Sequence, residues 1–302
     1  MLSRCRQPRY LAPMPSSPRL RARRPTRTGP PPATIRGAGA TDVGHVRVVN
    51  QDAILVAPGL GLYAVLDGMG GGPAGDVAAQ TAALVMAEYV RMQARSRRRW
   101  PRQVLDRAIR AASEMLFWEG HRDERLRGMG TTVVACLVLD PTRVVIAHVG
   151  DSRAYLLRDR KLAQLTRDHS LVQELVDRGK LSPRSARRSP KRHTITRSLG
   201  HRTVRPDVRE RRLRAGDRLL LCSDGLHGYT PARLIRRALA GDGTAEQLAQ
   251  AIVDLAMSRP APDNVSAVVI AVEGGRTRAA RSSRVLKRTA RRQQRSSEVG
   301  GQ

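Results

Sequence analysis

Apolar positions along the chain fall into short β-branched and aliphatic runs cut by Gly, Asp or Pro, alternating with longer stretches of helical spacing. The first runs, at 46–49, 53–56 and 61–66, predict strands. Residues 76–97 then place Val77, Ala78, Ala82, Leu84, Val85, Tyr89 and Met92 on one helical face. A second helix is predicted over 101–119, with Pro101 in its first turn and Leu105, Ile109, Ala112 and Leu116 in register. Strand character returns at 131–139, 143–149 and 154–157, with Asp140-Pro141 and Gly150-Asp151 as the turns. Residues 168–179 read as a helix and 182–192 as a mobile, Arg- and Ser-rich surface loop. A strand at 218–222, helices at 231–239 and 245–257, and a last strand at 266–272 complete the pattern. Groups of strands, each followed by paired helices, predict an α+β fold of antiparallel sheets covered by helices, not an alternating parallel one.

Composition changes this picture at the two ends. Residues 1–36 are rich in Pro and Arg and cannot bury enough apolar surface to order themselves; the tail 274–302 is similarly basic. The expected organisation is a disordered segment 1–36, a folded domain 37–273 and a disordered tail 274–302. The net charge of +29 is concentrated there too, with 17 of those charges in the two flanks. Arg dominates the basic residues, Lys occurring only at 161, 180, 191 and 287, so the excess is weak testimony to nucleic-acid binding. With one Phe, five Tyr and two Trp the chain also offers few stacking platforms, and no zinc-finger spacing occurs. No apolar run approaches the roughly 20 residues of a membrane span, and the basic N-terminus continues without an apolar signal segment. Three scattered cysteines, Cys5, Cys136 and Cys222, suit a reducing, cytoplasmic setting.

The candidate chemistry lies in aspartates placed where strands end or are about to begin: Asp67, Asp151, Asp224 and Asp263. A carboxylate at a strand end is held rigidly yet faces a cleft, and several converging there would repel one another unless a cation joined them. Oxygen donors of this kind select hard divalent ions, and neither CxxC nor HExxH is present to suggest zinc. Any one of these residues could be an ordinary turn aspartate; the group of four favours a common role.

The blocks Arg47-Val-Val-Asn-Gln-Asp52, Asp67-Gly-Met-Gly-Gly71, Gly130-Thr-Thr132, Gly150-Asp-Ser-Arg153, Ile195-Thr-Arg-Ser-Leu-Gly200, Ser223-Asp-Gly225 and Asp263-Asn-Val265 resemble, in order and spacing over residues 38–272, the motifs of the metal-dependent protein phosphatases of type 2C in their bacterial form. The resemblance implies a β-sandwich flanked by helix pairs, a centre of two Mn²⁺ or Mg²⁺ ions with a third possible, and hydrolysis of phosphoserine and phosphothreonine in proteins by a hydroxide held between the ions. It implies that Asp67 bridges the metals, with the Gly68 carbonyl on one of them and Asp224 and Asp263 on the other side. Asp151 resembles the ligand of the looser third ion, and Asp52 a metal-site acid that acts from behind the direct ligands or through water. Arg47 resembles the residue that grips the substrate phosphate, a task suited to a guanidinium fork. Phosphoproteins and a cognate Ser/Thr kinase are the implied partners of a monomeric enzyme.

The sequence departs from the family where a proton donor is often found, since Met69 and Gly72 stand in the places of histidines. Leaving-group protonation is therefore assigned to metal-bound water, with His45, His148, His169, His193 and His227 as the alternatives. Three other readings compete. Gly70 to Gly75 fits GxGxxG, but Asp67 would face a pyrophosphate and no ribose-binding acid follows at the required distance. A polyanion-binding protein would rest on the basic flanks, and a phosphatase-like scaffold would keep the fold without the chemistry, against which the four aspartates argue.

Overall fold

The computed structural model describes residues 33–70, 74–94 and 101–274. Residues 1–32 and 275–302, most of the two flanks expected to be disordered, lie outside the described residues. β1 (Thr34–Asp42) precedes β2 (Asp52–Ala57), β3 (Leu62–Met69), α1 (Ala74–Ala94) and α2 (Pro101–Arg122). Then come β4 (Gly130–Thr131), β5 (Val133–Asp140), β6 (Arg143–Val149), β7 (Arg153–Arg158) and β8 (Lys161–Gln164), followed by α3 (Leu171–Asp177) and α4 (Pro183–Ala186). β9 (Asp207–Arg212), β10 (Arg218–Cys222), α5 (Asp224–His227), α6 (Ala232–Leu239), α7 (Ala245–Met257) and β11 (Val265–Glu273) complete the order.

Every strand pairing is antiparallel, in two sheets ordered β1-β11-β10-β7-β8 and β2-β3-β5-β6-β9. Period-two alternation explains the layers, because both faces of the central strands are covered. Along β3, Leu62, Ala64 and Leu66 meet Met86, Leu105 and Ile109 of α1 and α2, while Tyr63 and Val65 point between the sheets. Along β11, Val265, Ala267 and Val269 meet α6 and α7, while Val268, Ile270 and Val272 fill the space between the sheets. The result is a helix–sheet–sheet–helix sandwich, the α+β class expected from the pattern. No described helix is long and apolar enough to cross a membrane.

Five expectations change. Leu84 and Met92, placed on the apolar face of the first helix, are exposed at 73% and 54%. Residues 34–36, expected to be disordered, belong to a strand: β1 pairs along its whole length with β11, Thr34 opposite Glu273. The Gly- and Ala-rich sequence of β1 conceals a strand whose small residues admit large neighbours; a Cβ on Gly37 would lie 2.2 Å from the Tyr63 ring. Residues 46–49 form no strand, and Val46 and Val48 are exposed at 68% and 95%. β8 and β9 went unpredicted because they are polar edge strands, where exposed charge is the normal composition. The stretch 182–192 is not an unstructured loop. Ser182 and Ser189 each accept a backbone N–H bond just ahead of a proline, starting α4 and a 3₁₀ turn at Pro190–His193.

Candidate metal centre

The two sheets bring their acids together at one end of the sandwich. Asp52 and Asp67 face each other across β2 and β3 of one sheet, and Asp151 lies in the turn just after β6 of that sheet. Asp224 follows β10 and Asp263 precedes β11 in the other. A cavity of about 500 Å³ opens there, lined by Asp67, Gly68, Asp151, Asp224 and Asp263 together with Arg47. The acids are therefore neighbours despite spanning most of the chain. Gly68 must be glycine, since a Cβ would lie 2.0 Å from the Gly75 carbonyl oxygen and 2.5 Å from that of Gln51, where α1 starts against β3.

Asp52 takes a different place from the other four acids. It does not line the cavity but lies buried behind Asp67, where its Oδ2 accepts a 2.8 Å bond from Ser223 Oγ of the opposite sheet. Ser223 Oγ in turn accepts the Ser266 N–H at 3.0 Å, so Asp52 fastens the sheets together beneath the site.

Electrostatics fit a cation-binding pocket. Burial is the largest cause raising Asp67 well above the ordinary carboxylate range, and Asp52, Asp224, Asp151 and Asp263 add repulsion. Burial likewise pushes Asp52 and Asp151 up to about 7, with Asp224 contributing to both. Burial also opposes ionisation of Asp224, but the His193 hydrogen bond and nearby His227 outweigh it and hold Asp224 below its usual value. Four cavity-lining carboxylates with no lysine among them form an all-oxygen donor set that suits Mg²⁺ or Mn²⁺.

Arg47 reaches the cavity from the loop between β1 and β2 and forks onto Asp263, Nε to Oδ1 at 2.9 Å and an NH2 to Oδ2 at 3.1 Å. Asn264 fixes that loop. Its Oδ1 accepts the Gln51 N–H at 2.8 Å and its Nδ2 donates to the Val43 and Val49 carbonyls. These bonds replace the strand expected at 46–49. Sequence reasoning gave Asn264 no role of its own, although its place directly after Asp263 was the available signal.

Of the five histidines considered, His193 alone is among the residues lining the cavity, its Nδ1 3.3 Å from Asp224 Oδ2. His227 is held at the Asp151 carbonyl. His45 lies in the loop whose backbone bonds Ala261. His148 and His169 stack with ring centroids 4.6 Å apart, and with Asp207 they form a second cluster of possible ligand atoms within 4.8 Å. Part of their bonding capacity is already taken up, His148 Nε2 lying 2.7 Å from the Arg167 carbonyl oxygen. His169 Nδ1 accepts the Gly150 N–H at 3.2 Å, and its Nε2 lies 3.2 Å from an Arg197 guanidinium nitrogen and 3.6 Å from Asp207 Oδ1. The pair props the Gly150-Asp151 turn from behind.

A four-layer sandwich of two antiparallel sheets between helix pairs, with an acid-lined cavity at one end whose donors suit a hard cation, is the class of structure this chain forms. The protein phosphatase 2C family model matches residues 41–261, and the chain belongs to that family. It is 40% identical over 235 residues to the serine/threonine protein phosphatase PstP of Mycobacterium tuberculosis, a match covering 78% of this chain and 44% of PstP. The chain thus spans less than half the length of that relative. With the serine/threonine phosphatase stp of Listeria monocytogenes it shares 34% identity over 239 residues, 76% of this chain and 93% of the other. Among solved structures, the catalytic domain of PstP in complex with two manganese ions superposes with a TM-score of 0.72 at 36% identity, covering 80% of this chain and 99% of that one.

Proposed function

We propose that the chain is a metal-dependent protein serine/threonine phosphatase. The observation that carries this reading is the meeting of Asp67, Asp151, Asp224 and Asp263, from both sheets, in one cavity beside Arg47. The relatives' names and the manganese complex support it. Asp67, the Gly68 carbonyl, Asp224 and Asp263 would hold two Mn²⁺ or Mg²⁺ ions, and Asp151 a third, with Asp52 acting from behind Asp67. Such ions supply Lewis acidity and activate water as a nucleophile at neutral pH.

The chain's own residues do the rest. His193 keeps Asp224 ionised and ready to bind a cation. Asp52 and Ser223 lock the two sheets so that the acids keep their spacing. Arg47, half-exposed and hinged on its loop, exchanges its fork from Asp263 to the substrate phosphate and steadies the charge that spreads over the phosphoryl oxygens. Arg47→Lys keeps the charge but loses the fork, and kcat/KM on a phosphothreonine peptide is expected to fall by about 10- to 100-fold, on the scale of a charged hydrogen bond. Unchanged kinetics in this variant would remove Arg47 from the site.

The reading carries with it phosphoproteins as substrates, a Ser/Thr kinase that supplies them, and a monomer in the cytoplasm. The buried free thiols of Cys136 and Cys222 suit that compartment. Phosphate release from phosphoserine, phosphothreonine and phosphotyrosine peptides, measured side by side with Mn²⁺ or Mg²⁺, tests it. The first two peptides should turn over and the third hardly at all, and a chelator should stop the reaction. Full turnover in chelator would overturn the two-metal reading.

A further inference from the structure

From residue 178 to residue 206 the chain contains ten basic side chains and not one Asp or Glu. We propose that this segment is a docking surface for acidic residues flanking the phosphorylated Ser or Thr of the substrate protein, an inference that rests on the phosphatase reading and adds a substrate class to it.

Its position carries the argument. The segment meets the cavity at His193 and Ile195, both of which line it. Tyr229, another lining residue, anchors the approach: the His193 ring stacks on it at 6.3 Å, and the Arg192 guanidinium lies over the same ring, 6.0 Å from its centre. The basic run is thereby tied to the rim and cannot drift away as a free loop. The caps on α4 and the following 3₁₀ turn give it a defined shape, with Arg184, Arg187, Arg188 and Lys191 exposed.

These charges are available. Among the described residues, the ion pairs of the segment join Arg178 to Glu174 and Arg197 to Asp207, leaving the four exposed residues and Arg192 without an acidic partner. Like charges gathered this closely repel one another, and an acidic partner relieves that repulsion. An extended peptide advances about 3.3 Å per residue, so side chains two to four positions from a phosphoresidue in the cavity would lie over the rim. Base stacking would need more rings than Tyr229 provides, which favours a carboxylate-bearing peptide over a nucleic acid.

The test uses the full chain with saturating Mn²⁺ and one phosphothreonine peptide made in two forms, three flanking Glu or three flanking Gln. At low ionic strength kcat/KM should favour the Glu peptide by about fivefold or more, the sum of a few exposed charge contacts. The preference should vanish near 1 M salt, where screening reaches about 3 Å. In the double variant Arg188→Glu, Lys191→Glu the ratio should fall to about one or below; Arg188→Gln, Lys191→Gln serves if the first variant does not fold. A wild-type ratio near one, with para-nitrophenyl phosphate and both peptides still hydrolysed, overturns the docking surface and leaves the phosphatase reading standing. No turnover of any phosphoester overturns both. Duplex DNA binding that the double variant loses, in the absence of a Glu preference, reassigns the surface to nucleic acid and likewise overturns the proposal.

Discussion

Replacing Asp67 by Asn is expected to lower metal-dependent phosphate release by about 10²–10³-fold or more, the scale seen when one preorganised transition-state group is removed. The same change should make the metal-free protein harder to unfold. Asp67 lies at the convergence of Asp52, Asp151, Asp224 and Asp263, and burial with their repulsion disfavours its charge. An unfolded chain ionises that carboxyl freely at neutral pH, so the native acid costs stability that an amide of the same shape does not. Turnover, bound manganese per chain and the urea midpoint of the metal-free protein check the two halves together. A variant that keeps two manganese ions and full activity would contradict the role given to Asp67. One that loses activity and is also less stable in chelator would contradict the electrostatic account.

Manganese should stabilise the protein more as pH rises from 5 to 8. Asp52 and Asp151 titrate near 7 in the folded, metal-free protein, against 3.8 ordinarily, and Asp67 is raised as well. Between about pH 4 and 7 the folded state therefore holds protons that the unfolded state has released, so these groups contribute progressively less stability as pH rises through the window. Buried, neutral His169 and His227, both lowered to about 4 mainly by burial, act in the opposite direction up to about pH 6.5. The melting temperature of chelated protein is therefore a mixed signal. The difference between manganese-loaded and chelated protein isolates the acids, because a cation must displace their protons to bind. For Asp151, which lines the cavity where Asp52 does not, the two pH units below 7 are worth about 2.7 kcal/mol, and a domain of this size gains about 2–4 °C per kcal/mol, so the increase from pH 5 to 8 should be on the order of 5–10 °C. A gain that is flat or shrinks over this range would mean that Asp67 and Asp151 do not meet the metal.

Much of the fold could be read along the chain because its central strands are buried on both faces. The apolar runs of β3, β5, β6, β10 and β11 stand out against Gly and Asp turns, and α1, α2, α6 and α7 show their helical spacing. Reading failed at the margins. β1 gave no strand signal because its glycines make room for Tyr63 and Ile54, a demand set by residues outside the strand. The valines at 46–49 looked like strand, yet the backbone there is occupied by Asn264, more than two hundred positions away. Edge strands β8 and β9 carry solvent-exposed charge and so lack any apolar signature.

The sequence by itself determined the layers and named the acids, because strand periodicity and the placement of aspartates at strand ends are local properties of the chain. Only the tertiary structure decided how Asp52 is held and what it fastens. Sheet register sets Asp52 directly opposite Asp67, yet Asp67 lines the cavity while Asp52 is taken up by the bond from Ser223 of the other sheet. Tertiary structure also singled out His193 from five histidines and set an acid-free basic segment at the rim, since both depend on where a loop returns after a long excursion and not on the residues it contains.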